Sequence, residues 1–124
     1  MRILTAKQIK AVEENAFKTD STEAGLMLNA GTACFEKICK IFGENLVNSR
    51  VAVFCGNGKN AGDGFVIADL LNSINVNADI IICDKEPTVD EPKMYFDKAI
   101  ANGVKVIDFT DIGENSYDII CLLY

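Results

Sequence analysis

Four short apolar runs set the widest constraint on this chain. Val51-Ala-Val-Phe-Cys55 and Ala78-Asp-Ile-Ile-Ile-Cys83 lie between polar or glycine-rich segments, and residues 104–108 and 117–124 add two more, the last containing Ile119-Ile-Cys-Leu-Leu123. Runs that are apolar at consecutive positions, rather than at alternate ones, belong to strands covered on both faces. Between them lie segments with helical spacing. Residues 65–74 carry Phe65, Val66, Ile67, Ala68, Leu70, Leu71 and Ile74, and residues 91–102 read as a helix closed by Asn102-Gly103. Strands that alternate with helices predict an α/β fold, with a mainly parallel sheet and helices on both faces.

The segment ahead of the first run is helical in pattern. Thr5-Ala-Lys-Gln8 has the form of a capping box, and Ile9, Val12, Ala16 and Phe17 follow at helical spacing. Ser21-Thr22-Glu23 signals a second start. Leu26, Met27, Ala30, Ala33, Cys34, Ile38, Ile41 and Phe42 then form one stripe that ends near Gly43, which predicts a long helix over residues 22–42. The expected order is therefore two helices followed by β–α units. If residues 117–124 are the last strand, its apolar edge needs a cover, and self-association as a homodimer is one way to supply it.

At 124 residues the chain is of a size for a single domain, expected to span 1–124. Eighteen acidic against twelve basic residues give a net charge of −6, which argues against a nucleic-acid or anionic-membrane partner. No apolar run approaches the length of a membrane span, and residues 1–18 interleave charges with apolar positions, unlike a secretory signal. Five cysteines without a Cys-x-x-Cys pair, and no histidine, fit reduced thiols in a cytoplasmic protein better than disulfides or zinc.

In a parallel sheet, ligands sit beyond the carboxyl ends of the strands, so residues 55–64 are where function is expected. Cys55-Gly-Asn-Gly-Lys-Asn-Ala-Gly-Asp-Gly64 holds four glycines in ten residues. Bare backbone amides at a helix start attract oxyanions, which makes this segment a candidate diphosphate cradle. Asn60 and Asp63 add oxygens able to cap the helix, bind ribose or ligate a hard cation. Walker A spacing fails here. The dinucleotide fingerprint fits as Gly56-x-Gly58-x-x-Ala61, with Asp84 as the ribose-binding acid, set somewhat farther along than usual. A helix entry that needs its glycines only for tight turning is the competing account.

A family resemblance is more specific. Asn57-Gly-Lys-Asn-Ala-Gly-Asp-Gly64 resembles the Gly-Asn-Asn-Gly-Gly-Asp-Gly loop of the NAD(P)H-hydrate epimerases, the YjeF N-terminal domain family. Met1-Arg-Ile-Leu-Thr-Ala-Lys-Gln8 resembles that family's opening, and Leu26-Met-Leu-Asn-Ala-Gly31 its Leu-Met-x-x-Ala-Gly helix. The resemblance implies a Rossmann-like three-layer α/β/α sandwich. It also implies interconversion of the R and S forms of hydrated NADH and NADPH, a repair of nicotinamide nucleotides. By position, Lys59, Asn60, Ala61, Gly62 and Asp63 match the substrate-contacting stretch, and Asn60 matches a ligand of the family's potassium ion. Asp63 is the nearby candidate for proton transfer.

The pattern also departs from the family. Lys59 and Ala61 stand where Asn and Gly are commoner, and Leu122 stands about where an Asp that binds the cation is expected. The resemblance covers the front part of the family's domain, as if the domain were truncated at its C-terminal side. It leads to the expectation of a nucleotide half-site with weak or no epimerase activity. The alternative is a non-catalytic nucleotide- or partner-binding module of the same fold, as in the mRNA-decapping enhancers or the apolipoprotein A-I-binding protein.

Overall fold

The computed structural model of the chain describes residues 2–4, by backbone alone, together with 22–88 and 90–123. The helix expected from Thr5 onward lies outside these residues. Five strands form one sheet: β1 (Arg2–Leu4), β2 (Arg50–Cys55), β3 (Asn77–Ile82), β4 (Lys105–Asp108) and β5 (Ile119–Leu123). Their order is β1-β5-β2-β3-β4, and every neighbouring pair is parallel. Three helices connect them: α1 (Glu23–Phe42), α2 (Lys59–Ser73) and α3 (Asp90–Ala101).

Helix ends follow the local chemistry. The Thr22 hydroxyl accepts from the Gly25 amide at 2.9 Å and caps α1. Glu23 in its first turn and Lys40 in its last suit the helix dipole. Gly43, at φ 53°, closes the helix by donating its amide to the Cys39 carbonyl, in a conformation that favours glycine. Gly103, at φ 96°, plays the same part after α3.

The steps β2→β3 and β3→β4 run in one direction across the sheet, so right-handed crossovers place α2 and α3 on the same face. There α2 lies between α1 and α3. Val51, Val53, Cys55, Ile80, Ile82, Ile119, Cys121 and Leu123 meet Met27, Cys34, Ile38, Phe65, Leu71 and Phe96 in the main core. Phe65 and Phe96 meet edge to face at 5.1 Å. On the opposite face Ala52, Ile81 and Ile107 form a smaller cluster with Phe54, Ile112, Tyr117 and Ile120. The return from β4 to β5 supplies that cover, through a short 3-10 turn (Phe109–Asp111) and residues 112–118. A second helical layer is not among the described residues.

Two expectations change. The chain does not begin with helices, because Arg2–Leu4 is already a strand. β5 is consequently no edge: it pairs with β1 on one side and β2 on the other, which removes the exposed apolar edge as a reason for self-association. The edge at β4 carries exposed Lys105 and Asp108, charges that discourage further pairing.

At the amino ends of the strands, buried Asp79 accepts from the Tyr117 hydroxyl at 2.8 Å and pairs with Arg50 at 3.5 Å. The Arg50 guanidinium lies 4.9 Å from the Tyr117 ring centre. Asp118 closes the arrangement, accepting from the Arg50 amide at 2.9 Å while its own amide donates to the Arg50 carbonyl. These bonds fasten the return segment beneath the sheet.

Two outcomes follow for stability. A Cβ at Gly31 would lie 2.5 Å from Cβ and Cγ1 of Val66 and 3.2 Å from the Asp63 carbonyl, so Gly31→Ala is expected to cost about 1–3 kcal/mol in urea unfolding. Burial first, then the bond to Asp79, pushes the Tyr117 hydroxyl up from its ordinary 10 to about 12. A group whose pKa is raised by folding stabilises fully below its unfolded value and loses that contribution as pH rises through the folded one. The chain should therefore lose stability between pH 10 and 12, and Tyr117→Phe should lack that part of the loss. At neutral pH the same variant should be weaker by about 1–3 kcal/mol, since Asp79 loses a donor, as thermal and urea melts across pH would show.

Candidate functional site

The sheet changes direction between β5 and β2, where the chain runs outward to β3 and β4 and then returns. Such a switch point opens a crevice at the carboxyl ends of the strands. Here that crevice is roofed by the start of α2. The Gly56 amide donates to the Leu123 carbonyl at 3.3 Å, tying the loop to the end of β5.

α2 starts earlier than the glycine-rich pattern suggests. Gly58 is its N-cap and Lys59 its first residue, so Gly62, Asp63 and Gly64 lie inside the helix. No glycine of this segment is among those at positive φ, which are Gly43, Gly103 and Gly113, and Gly58 is extended at φ −127°. Close packing is what demands Gly62 and Gly64. A Cβ at Gly62 would come within 2.1 Å of the Met27 Sδ, and one at Gly64 within 2.7 Å of the Cys55 Sγ. Tight turning, the competing account, does not describe these two glycines; helix packing does. The cradle proper shrinks to residues 56–60.

No side chain caps α2, and no acidic residue stands in its first turn. Its positive end is therefore uncompensated from within, and Lys59 adds a further positive charge there. Lys59 Nζ reaches across to Glu23 Oε1, at 3.1 Å, in an exposed pair. Such a pair holds weakly and is screened by salt.

Two hollows flank this helix start. One, of about 310 Å³, is walled by Leu26, Met27 and Ala30 of α1, with Glu23, Lys59, Asn60 and Asp63. The other, of about 240 Å³, lies between residues 56–61 and the segment that leads into α3, where Lys85, Thr88, Asp90 and Glu91 line it. Lys59 borders both. Asp63 is only 5% exposed and lines the first of these hollows.

The residues expected from sequence are thus sorted by the fold. Lys59 and Asn60 are exposed at the mouth, Asp63 sits at the back of the larger hollow, and Ala61 lines the smaller one. Gly62 is spent on the contact with Met27. Asp84 is exposed and borders neither hollow; its neighbour Lys85 does. Glu23 and Lys85 escaped the sequence reading. Glu23 read only as a helix start, and the place of Lys85 directly after a strand end was the available signal.

Of the two positions that the resemblance relates to a potassium ion, Asn60 keeps an oxygen donor and Leu122 does not. Leu122 pairs with Phe54 on the face away from the helices and offers no oxygen. Asn60 brings one amide oxygen to the hollow that Asp63 and Glu23 line with carboxylates, and the Lys59 ammonium, paired with Glu23, borders it. No cluster of three or more His, Cys, Asp or Glu side chains gathers to hold a metal among the described residues.

Known proteins share this architecture and sequence. A family model described as the YjeF-related protein N-terminus matches residues 23–120. The "Bifunctional NAD(P)H-hydrate repair enzyme Nnr" of Methanocaldococcus jannaschii is 34% identical over 87 residues, covering 70% of this chain and 16% of that relative. The "NAD(P)H-hydrate epimerase" of Roseobacter litoralis is 41% identical over 71 residues, covering 56% of this chain and 31% of that relative. The crystal structure of yeast ynu0 superposes with a TM-score of 0.59 over 92% of this chain and 49% of that one, at 21% identity, a likeness of fold. The chain spans less than a third of the length of these two sequence relatives. With a match over most of its length, the chain belongs to the family of the YjeF-related protein N-terminus, that of the NAD(P)H-hydrate epimerases.

Proposed function

We propose that this chain is an NAD(P)H-hydrate epimerase-type domain, holding a hydrated nicotinamide nucleotide at the start of α2. The observation that carries the reading is Asp63: a carboxylate only 5% exposed, lining a hollow walled by Leu26, Met27 and Ala30. An apolar wall suits a flat ring, and a buried carboxylate suits taking up and returning a proton on it. The uncapped amides of α2 and the Lys59 ammonium suit the diphosphate. Asn60, at the mouth, is placed to donate to ribose or phosphate oxygen. The names of the relatives support the substrate class, a hydrated nicotinamide nucleotide.

Leu122, in place of the carboxylate expected there, favours slow turnover. It also gives weight to the second reading, a module of the same fold that binds nucleotide without acting on it.

Thermal shift and an epimerisation assay on the same preparation separate these. ADP-ribose at a hundred times its Kd should stabilise the chain by about 2.7 kcal/mol, and Asn60→Ala should weaken that effect. Asp63→Asn should keep the stabilisation and lower whatever epimerisation the wild type shows by about 10²–10⁴-fold, the range for loss of a general acid or base. Binding without any epimerisation would favour the non-catalytic module, and absence of nucleotide binding would overturn both readings.

A further inference from the structure

We propose that the Met27 thioether, recessed over Gly62, is the seat of the nicotinamide ring, and that it makes the site prefer a nucleotide carrying the hydrated ring over one that lacks it. This rests on the nucleotide-binding reading above and names the side chain that reads the ring.

The segment Leu26-Met-Leu-Asn-Ala-Gly31 lies on α1 and divides its residues by face. Leu26, Met27 and Ala30, at helical spacing, line the larger hollow, while Gly31 turns to Val66. Met27 and Ala30 are 5% and 3% exposed. Met27 thus belongs to the main core and to the wall of the hollow at once.

Gly62 is what lets it do both. A Cβ at Gly62 would lie 2.1 Å from the Met27 Sδ, 2.7 Å from its Cε and 3.2 Å from its Cγ, so the outer half of the side chain rests on bare α2 backbone. With any other residue at that position the thioether must move, and the open space beside it is the hollow of about 310 Å³. The depth of the hollow therefore depends on one glycine, and the surface offered at that depth is sulfur and methyl.

Such a surface suits a ring. A thioether is polarisable and adapts its shape to flat groups, and moving carbon surface from water onto an apolar wall is favourable. The polar groups around the seat are Glu23, Lys59, Asn60 and Asp63. The two carboxylates offer acceptors. A hydrated nicotinamide ring brings donors to them, a hydroxyl and a carboxamide NH₂, on a skeleton that is otherwise mostly carbon. Adenine, the other ring of the nucleotide, presents acceptors at N3 and N7 beside its single amine. The seat therefore matches the nicotinamide end of the ligand.

NMR of the full chain, isotope-labelled on its methionine methyl groups, reads the seat without altering it. The chain has three methionines, Met1, Met27 and Met94, and Met27→Leu, a change that nearly keeps the volume, assigns the signal. Saturating NADH hydrate should shift the Met27 methyl signal, and saturating ADP-ribose, the same nucleotide without its nicotinamide ring, should leave it in place. Calorimetry should show NADH hydrate binding about tenfold more tightly than ADP-ribose. Gly62→Ala, which drives the thioether into the hollow, should cut that ratio to about twofold or less. A Met27 methyl that stays put with NADH hydrate, or moves alike with both ligands, overturns the assignment while the nucleotide-binding reading stands. Equal wild-type affinity for the two ligands, or a Gly62→Ala chain that keeps the full preference, does the same. The methyl signals decide the matter where Gly62→Ala fails to fold. If the wild type binds neither ligand, the nucleotide-binding reading itself is overturned, and the seat goes with it.

Discussion

Everything at the mouth of α2 depends on how closely α1 and α2 approach. Gly31 of α1 lies against Val66, and Gly62 of α2 lies against Met27, so the two helices meet through backbone on both sides. A side chain at either contact would drive them apart, because packed interiors yield little to added volume. With the helices so close, Glu23, Leu26, Met27 and Ala30 share one hollow with Lys59, Asn60 and Asp63. The site is assembled across two helices whose paired residues Glu23 and Lys59 lie 36 positions apart in the chain, and glycine is what sets the helices' spacing.

The sheet divides its labour by its ends. At the amino ends, Asp79, Arg50 and Tyr117 satisfy one another, and the return segment is held beneath the strands. At the carboxyl ends, the polar groups are left less complete: an uncapped helix start and an exposed ion pair. Consistent satisfaction belongs to stability, and unmet demand belongs to recognition. Both ends are rich in charge, and it is the degree of pairing that tells them apart.

Much of this architecture is legible in the residues. The continuous apolar runs at residues 51–55 and 78–83 read as strands covered on both faces, and Thr22 and Gly43 bracket α1 with side-chain and backbone chemistry that acts locally. Local signals failed where tertiary contact decides. Arg2–Leu4 is too short to show a pattern, and it is a strand because β5 offers it an edge. Lys59-Asn-Ala-Gly-Asp-Gly64 looks like loop by composition, yet it is helix, with Gly62 packed against Met27 and Gly64 against Cys55. Asp63 and Asn60 were legible through resemblance to a family, whereas Glu23 and Lys85 needed the fold to bring them near.

β1 hydrogen-bonds to β5 alone, and β5 lies between β1 and β2. Of the five strands, the one earliest in the chain therefore has no partner among them until the latest has entered the sheet. Until then β2 presents a bare edge beside β3, with its backbone groups open to any extended segment. Closure between chain regions so distant in sequence is entropically demanding and slow. Productive folding of this chain becomes a matter of timing: the insertion of β5 joins the five described strands and withdraws that edge of β2 from other molecules in one event.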